Sequence, residues 1–249
     1  MKLQNKNTIV TGGASGFGAG IVARFLEEGA NVTIVDFDKT AALAYMESLK
    51  SDRVHFEYAD LADGKSVAEL FDRLQTRWSR LDVLVNNAGT THLPALLEDV
   101  SEKDFDKVFA VNAKSVYYTS KFAVPWMKQQ AAGAIVKIAS TAALSPRPHL
   151  TWYNASKGWM VTATKSMAIE LASERIRVNA ICPVAGETPL LASFMGSDTP
   201  ETREKFLSSI PLGRFSTPKD IAATALYLAS DEAAMITGVA LEVDGGRCI

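Results

Sequence analysis

The chain has 249 residues, 47% of them hydrophobic, and a net charge of -2 with both signs interspersed. This is material for one large α/β domain or two small ones; no basic patch points to nucleic acid and no acidic tail to a disordered partner arm. Residues 1–7 are polar, no stretch approaches the ~18 apolar residues of a membrane span, and only Cys182 and Cys248 are present, so a soluble cytoplasmic protein with no nucleic-acid or membrane partner is expected.

The first strand-like run, 8–10, leads into Thr11-Gly12-Gly13-Ala14-Ser15-Gly16-Phe17-Gly18. An amphipathic stretch with Ile21, Phe25 and Leu26 on one face follows. Glycines at that junction permit a tight turn and close backbone approach to a pyrophosphate, and the helix start offers free N–H groups and the positive end of its dipole. A plain strand–helix turn has the same glycines; position after the first strand favours nucleotide binding. The next run, 32–35, ends at Asp36. A carboxylate there can accept hydrogen bonds from the adenosine ribose hydroxyls and repels a 2′-phosphate. No cation adjoins it until Lys39, so NAD is favoured over NADP. The competing reading has Asp36 capping the next helix.

A third run, 53–58, precedes Asp60-Leu61, where an adenine edge can lie. The helical period of Val67, Leu70, Phe71 and Leu74 follows, then a run at 83–85 and Asn86-Asn87-Ala88-Gly89. Asn87 suits a structural role, with Gly89 giving a cofactor room. His92 lies just beyond, near the expected pocket mouth.

The run 134–138 precedes Ser140, and thirteen residues later comes Tyr153-Asn154-Ala155-Ser156-Lys157. Four residues is a little over one helical turn, so the phenol and the ammonium share a face. At ~4 Å and an effective dielectric of ~20 their attraction is worth about 4 kcal/mol, roughly three pKa units before desolvation opposes it. That makes a tyrosine usable as general acid or base. Many helices also carry this pair for packing alone. Between Ser140 and Tyr153, Arg147 and His149 sit in a loop stiffened by Pro146 and Pro148. They either read an anionic or polyhydroxylated substrate or face solvent or a neighbouring subunit. The three histidines and two cysteines are scattered, so no metal is expected.

The last strand-like runs are 177–181 and 239–243, with a helical period at Ile221, Ala225 and Leu228 between them. Residues 183–211 are irregular and rich in Gly, Pro, Ser and Thr, which suits a substrate lid at about 184–211. Continuous apolar runs alternating with amphipathic stretches imply a doubly wound parallel sheet with helices on both faces. With no linker or repeat, one domain over 1–249 is the simpler reading.

Together these motifs resemble the classical short-chain dehydrogenase/reductase family over nearly the whole chain. The resemblance rests on Thr11-Gly12-x-x-x-Gly16-x-Gly18, Asn86-Asn87-Ala88-Gly89, Asn112, Ser140 and Tyr153-x-x-x-Lys157. It implies a Rossmann-type sheet of seven parallel strands in the order 3-2-1-4-5-6-7. It also implies a homotetramer packed through two long helices, near 101–130 (broken at Asn112) and 152–173. Tyr153 would be the acid/base. Lys157 would bind the nicotinamide ribose and lower the tyrosine pKa. Ser140 would hold the substrate oxygen, and Asn112 a water linking Lys157 to solvent. Gly12, Ser15, Gly16, Phe17, Gly18, Asp36, Asp60, Leu61, Asn87, Ala88, Gly89, Tyr153, Lys157, Pro183 and Thr188 would hold NAD. Val184 departs from the family's usual glycine after Pro183, so either the backbone is ordinary there or the loop is reshaped around Gly186. The implied activity is NAD-dependent interconversion of a secondary alcohol (sugar, polyol or hydroxy acid) and its ketone. The alternatives are an NADPH-dependent 3-oxoacyl thioester reductase and a catalytically silent dinucleotide sensor.

Overall fold

The β-branched runs become seven parallel strands: β1 (Asn7–Thr11), β2 (Asn31–Asp36), β3 (Val54–Tyr58), β4 (Val83–Asn86), β5 (Gly133–Ile138), β6 (Ile176–Pro183) and β7 (Ala240–Val243). In the computed structural model, which describes residues 1–249, they form one sheet in the order β3-β2-β1-β4-β5-β6-β7. Successive side chains of a strand point to opposite faces. Val10, Ile34 and Val136 therefore enter one core, with Ile21, Phe25 and Ile221. Their neighbours Ile9, Val35 and Ile135 enter the other, with Leu70, Phe71 and Trp126. Burial of each such large side chain contributes about 1.5–3 kcal/mol, and this two-sided burial is why the central strands show no polar alternation, whereas the edge strand β3 (Val54-His55-Phe56-Glu57-Tyr58) does.

Helices α1 (Gly16–Glu27), α2 (Lys39–Ser48) and α3 (Gly64–Arg77) follow the first three strands. Next come α4 (Glu102–Phe109), α5 (Ser115–Gln129) and α6 (Thr151–Leu171). The segment 184–211 carries two short helices, α7 (Leu191–Met195) and α8 (Pro200–Leu207), and α9 (Pro218–Ala229) returns to the sheet. α4 and α5 are one helix interrupted by a π-helical turn, Ala110–Lys114, centred on the fully buried Asn112. Such turns recur at functional sites because they displace one residue from the regular ladder.

β5 contains a residue its apolar run does not explain. Lys137 is fully buried, and its Nζ donates only to Met167 Sδ, 3.1 Å away. Burial pulls its pKa down to about 7. The ordinary lysine value is ~10.4, so between these two pH values the unfolded chain holds a proton that the folded chain has released. Stability from this group is therefore lowest below about pH 7 and recovers as pH rises. Lys137→Met, which keeps the length and removes the charge, is expected to gain about 2 kcal/mol at pH 6, or roughly 4–8 °C in Tm for a chain of this size. The gain should shrink by pH 9. Scanning calorimetry at the two pH values checks this, and an unchanged or lowered Tm at both would show that the ammonium is not a net cost.

Candidate active site

A cavity of about 730 Å³ runs along the carboxyl ends of the strands, where the order reverses between β1 and β4. Ligands of doubly wound sheets bind at this switch point. At one end Thr11 ties the two strands together. Its Oγ1 donates to Val85 O (3.2 Å) and accepts from Asn87 N (2.9 Å) and Ala88 N (3.0 Å). Asn87 Nδ2 donates to the Thr11 and Gly12 carbonyls, each at 2.9 Å. Gly16 has φ 53°, in the left-handed region, and a Cβ on Gly18 would collide with the Gly12 carbonyl oxygen. α1 begins at this loop, and its N-cap Ser15 makes no side-chain cap. By contrast α2, α3, α4, α8 and α9 are capped by Asp38, Asp63, Ser101, Thr199 and Thr217. The α1 N–H groups stay available to an anion.

Asp36 ends β2 and is 8% exposed. Its Oδ2 accepts from Ala14 N and its Oδ1 from Asp38 N, each at 3.1 Å. Asp38, not Asp36, caps α2, through Ala41 N. Phe37, Tyr58, Asp60 and Leu61 line this end, with Gly12, Ser15, Gly16, Phe17, Ala88 and Gly89 toward the middle. A glycine cradle, uncapped N–H groups and a fixed carboxylate in one continuous cavity fit a dinucleotide.

At the other end Ser140 follows β5, and Tyr153 and Lys157 project from the start of α6; all three line the cavity. Ser140 Oγ accepts from Ala142 N (3.1 Å), which leaves its hydroxyl proton to donate elsewhere. Tyr153 is 4% exposed, with its ring edge-on to Phe194 of α7 at 4.9 Å. Burial pushes the phenol above its ordinary value, and a hydrogen bond with Ser140 opposes this. The lowering by Lys157 expected from the four-residue spacing is absent from this balance. Lys157 Nζ donates to Ile138 O (2.8 Å) and lies 5.9 Å from the tyrosine ring centre. Burial also weakens that ammonium, pulling its pKa down to about 8. Asn112 Oδ1 accepts from Thr90 N (2.8 Å), while its Nδ2 donates to Thr90 O and Ser156 Oγ, each at 2.9 Å. Gly89 lies between Asn112 Oδ1 and Lys157 Nζ: a Cβ there would be 3.4 Å from each.

A family model described as enoyl-(acyl carrier protein) reductase matches residues 12–247. The chain is 45% identical to the 4-formylbenzenesulfonate dehydrogenase of Comamonas testosteroni, over the full length of both. It is 38% identical to a 3-oxoacyl-[acyl-carrier-protein] reductase of Thermotoga maritima, again over both whole chains. Among solved structures, the 3-ketoacyl-(acyl-carrier-protein) reductase of Brucella melitensis complexed with NADH superposes with a TM-score of 0.94 at 44% identity, covering 99% of this chain and all of that one. The chain belongs to the short-chain dehydrogenase/reductase family. It is an oxidoreductase of that family, with the family's seven-strand parallel order.

Not every residue singled out in the sequence reaches the cavity of this short-chain dehydrogenase/reductase. His92 is buried beside it, with Nδ1 bonded to Leu93 O at 2.8 Å, and His149 is exposed in a left-handed turn at φ 65°. Neither lines the cavity; Gly18 and Asn112 support it from behind. Arg147, Pro183 and Thr188 do line it. Val184 has no positive φ, so the backbone at the family's usual glycine is ordinary; its side chain packs with Leu191, Met195, Ile210 and Phe215. Gly186 bridges to Ser216 in parallel register. Phe37, Thr90, Phe194 and Phe206 line the cavity without having been singled out. Only Phe37 left a signal, an aromatic directly after the strand-ending carboxylate.

Proposed function

We propose that this protein is an NAD-dependent dehydrogenase that interconverts a secondary alcohol (a sugar, polyol or hydroxy acid) and its ketone. The observation that carries the reading is one cavity with Ser140, Tyr153 and Lys157 at one end and the Asp36 carboxylate at the other. In the reducing direction the ketone oxygen accepts hydrogen bonds from the Ser140 and Tyr153 hydroxyls. Tyr153 gives up its proton as charge develops on that oxygen, and Ser140 stabilises the charge. Lys157 holds the nicotinamide ribose, and its ammonium, 5.9 Å from the tyrosine ring centre, favours the phenolate that remains less strongly than the four-residue spacing implies. Asn112, at the π-turn, keeps a proton-relay water beside Lys157. A bound nicotinamide supplies or accepts the hydride.

Gly12, Ser15, Gly16 and Phe17 hold the pyrophosphate, with Gly18 packed behind the loop, and Asp36 holds the adenosine ribose. Asp60 and Leu61 border the adenine. Asn87, Ala88, Gly89, Pro183 and Thr188 frame the nicotinamide half. Asp36 supports NAD over NADP, because it would face a 2′-phosphate with no cation within 4.0 Å to offset it. The segment 184–211 acts as a lid, a reading supported by Phe194 packed on Tyr153. Exposed Tyr117 on α5 and Trp159 and Ile169 on α6 support self-association, as a homotetramer, through that face. No helix is long and apolar enough to cross a membrane. Both cysteines are free thiols, in keeping with the proposed cytoplasmic location.

A second reading is reduction of a 3-oxoacyl thioester with NADPH; the names of the Thermotoga and Brucella relatives favour the thioester, while Asp36 and the NADH bound to the Brucella protein weigh against the cofactor. Absorbance assays of NAD and NADP reduction against alcohols, polyols, sugars and hydroxy acids test the proposal. Reduction of NAD by at least one secondary alcohol is the expected result. NADPH oxidation by a 3-oxoacyl thioester alone would replace it with the second reading. Cofactor binding without any turnover would point to a silent sensor.

A further inference from the structure

The substrate end of the cavity holds a positive charge with no carboxylate paired to it. Arg147 lines the cavity and is half-buried. Its Nη2 donates to Ser209 Oγ at 2.7 Å, and its guanidinium lies 4.4 Å from the centre of the Phe206 ring, on the lid. Its own carbonyl accepts from Asn154 Nδ2 at 2.8 Å, which ties the Arg147 backbone to the residue next to Tyr153. A second guanidinium stands behind it. Arg247 Nη1 donates to Ser145 Oγ (2.9 Å), and Ser145 lines the same cavity. Arg247 Nε is buried with no acceptor.

Neither arginine has a carboxylate within 4.0 Å. The acid nearest in sequence, Asp244, is occupied by the backbone N–H groups of Gly246 (2.9 Å) and Cys248 (2.7 Å). Burial, and then the charge of Arg247, weaken the hold of Arg147 on its proton. Two guanidiniums brought together without a counter-charge repel each other. A guanidinium held by stacking and one hydrogen bond still presents other N–H donors, in a planar fork that matches an oxyanion. The remaining walls here are largely apolar, with Leu150, Leu190, Phe194 and Phe206, and the polar Thr141 and Asn154 among them.

We infer that the substrate carries a carboxylate or sulfonate on an apolar body, gripped by Arg147 with Arg247 reinforcing its charge. This rests on the dehydrogenase reading and narrows its substrate class to anionic ones.

Paired probes that differ only in the anion test it: para-acetylbenzoate and acetophenone, with the protein saturated in NADH. The ratio of kcat/KM for the anionic over the neutral ketone is expected to exceed about tenfold in the wild type and to fall at least about tenfold in Arg147→Met. Arg147→Lys should fall between. Both ketones are read on one preparation, so loss of folded protein cancels from the ratio. Arg247→Met, which leaves the Ser209 and Phe206 contacts in place, should lower the ratio less. Calorimetric binding of the two ketones gives the same comparison without turnover. If neither ketone is reduced but para-acetylbenzoate binds in preference and loses that preference in Arg147→Met, the dehydrogenase assay has failed while the anion site stands. Equal binding of both probes, or a preference untouched by Arg147→Met, overturns the inference and leaves Arg147 as a strut between loop and lid.

Discussion

Tyr153→Phe is expected to lower turnover by about 10²–10⁴-fold, the range for removing a general acid–base group, while NADH affinity changes by less than about threefold, or 0.65 kcal/mol. The substitution removes one oxygen and keeps the ring, so the edge-on contact with Phe194 of α7 survives. What disappears is the only phenol in reach of Ser140 at this end of the cavity. The pH profile separates this from a packing defect. Burial raises the phenol pKa, so the free enzyme holds the proton through the neutral range. Ketone reduction, which needs the proton, should be flat there, whereas alcohol oxidation, which needs the phenolate, should rise with pH. Lys157 opposes that rise as its charge is lost above about 8. The oxidation slope should vanish in the phenylalanine variant. Steady-state rates in both directions and a fluorescence titration with NADH measure all of this; full activity in the variant would sink the acid/base assignment.

The parts of this protein legible in its sequence are those where a residue acts through its neighbours along the chain. Ile9 and Val10 announce a strand buried on both faces because the two faces alternate within adjacent residues. The glycine loop announces itself because strand, turn and helix are contiguous. Tyr153 and Lys157 share a helix face for the same reason. What was not legible depends on distant partners. Lys157 spends its nearest donor on the Ile138 carbonyl, nineteen residues away, so spacing alone overstated its hold on the phenol. Arg147 gains meaning from Ser209, Phe206 and Arg247, which lie in the segment 184–211 and at the C-terminus. His149 sits two residues from Arg147 yet turns outward, because a left-handed backbone at that position reverses the chain. Loop spacing gave no hint of this. Lys137 interrupts an apolar run, and only the packed sheet shows that its ammonium has no water to reach.

Asp36→Ala is expected to reverse the cofactor preference. In the wild type both carboxylate oxygens are anchored by backbone N–H groups, from Ala14 and Asp38. The charge therefore cannot swing away to make room for a phosphate. Two like unit charges ~5 Å apart at an effective dielectric of ~20 repel by about 3 kcal/mol. Hydrogen bonds from ribose hydroxyls to a carboxylate are worth about 1.5–3 kcal/mol each. Alanine removes both effects: NAD loses its acceptors and NADP loses its repulsion. The NAD-over-NADP ratio of kcat/KM should drop by at least about a hundredfold, or 2.7 kcal/mol. Asp36→Asn divides the two causes, because it keeps one acceptor oxygen and discards the charge. If repulsion dominates, asparagine should recover most of the alanine effect on NADP while NAD weakens less. If ribose bonding dominates, NAD should weaken in both variants and NADP barely gain. A ratio that stays at its wild-type value in both would remove Asp36 from cofactor recognition and leave it as a brace between the glycine loop and the start of α2, the role its two backbone contacts already perform.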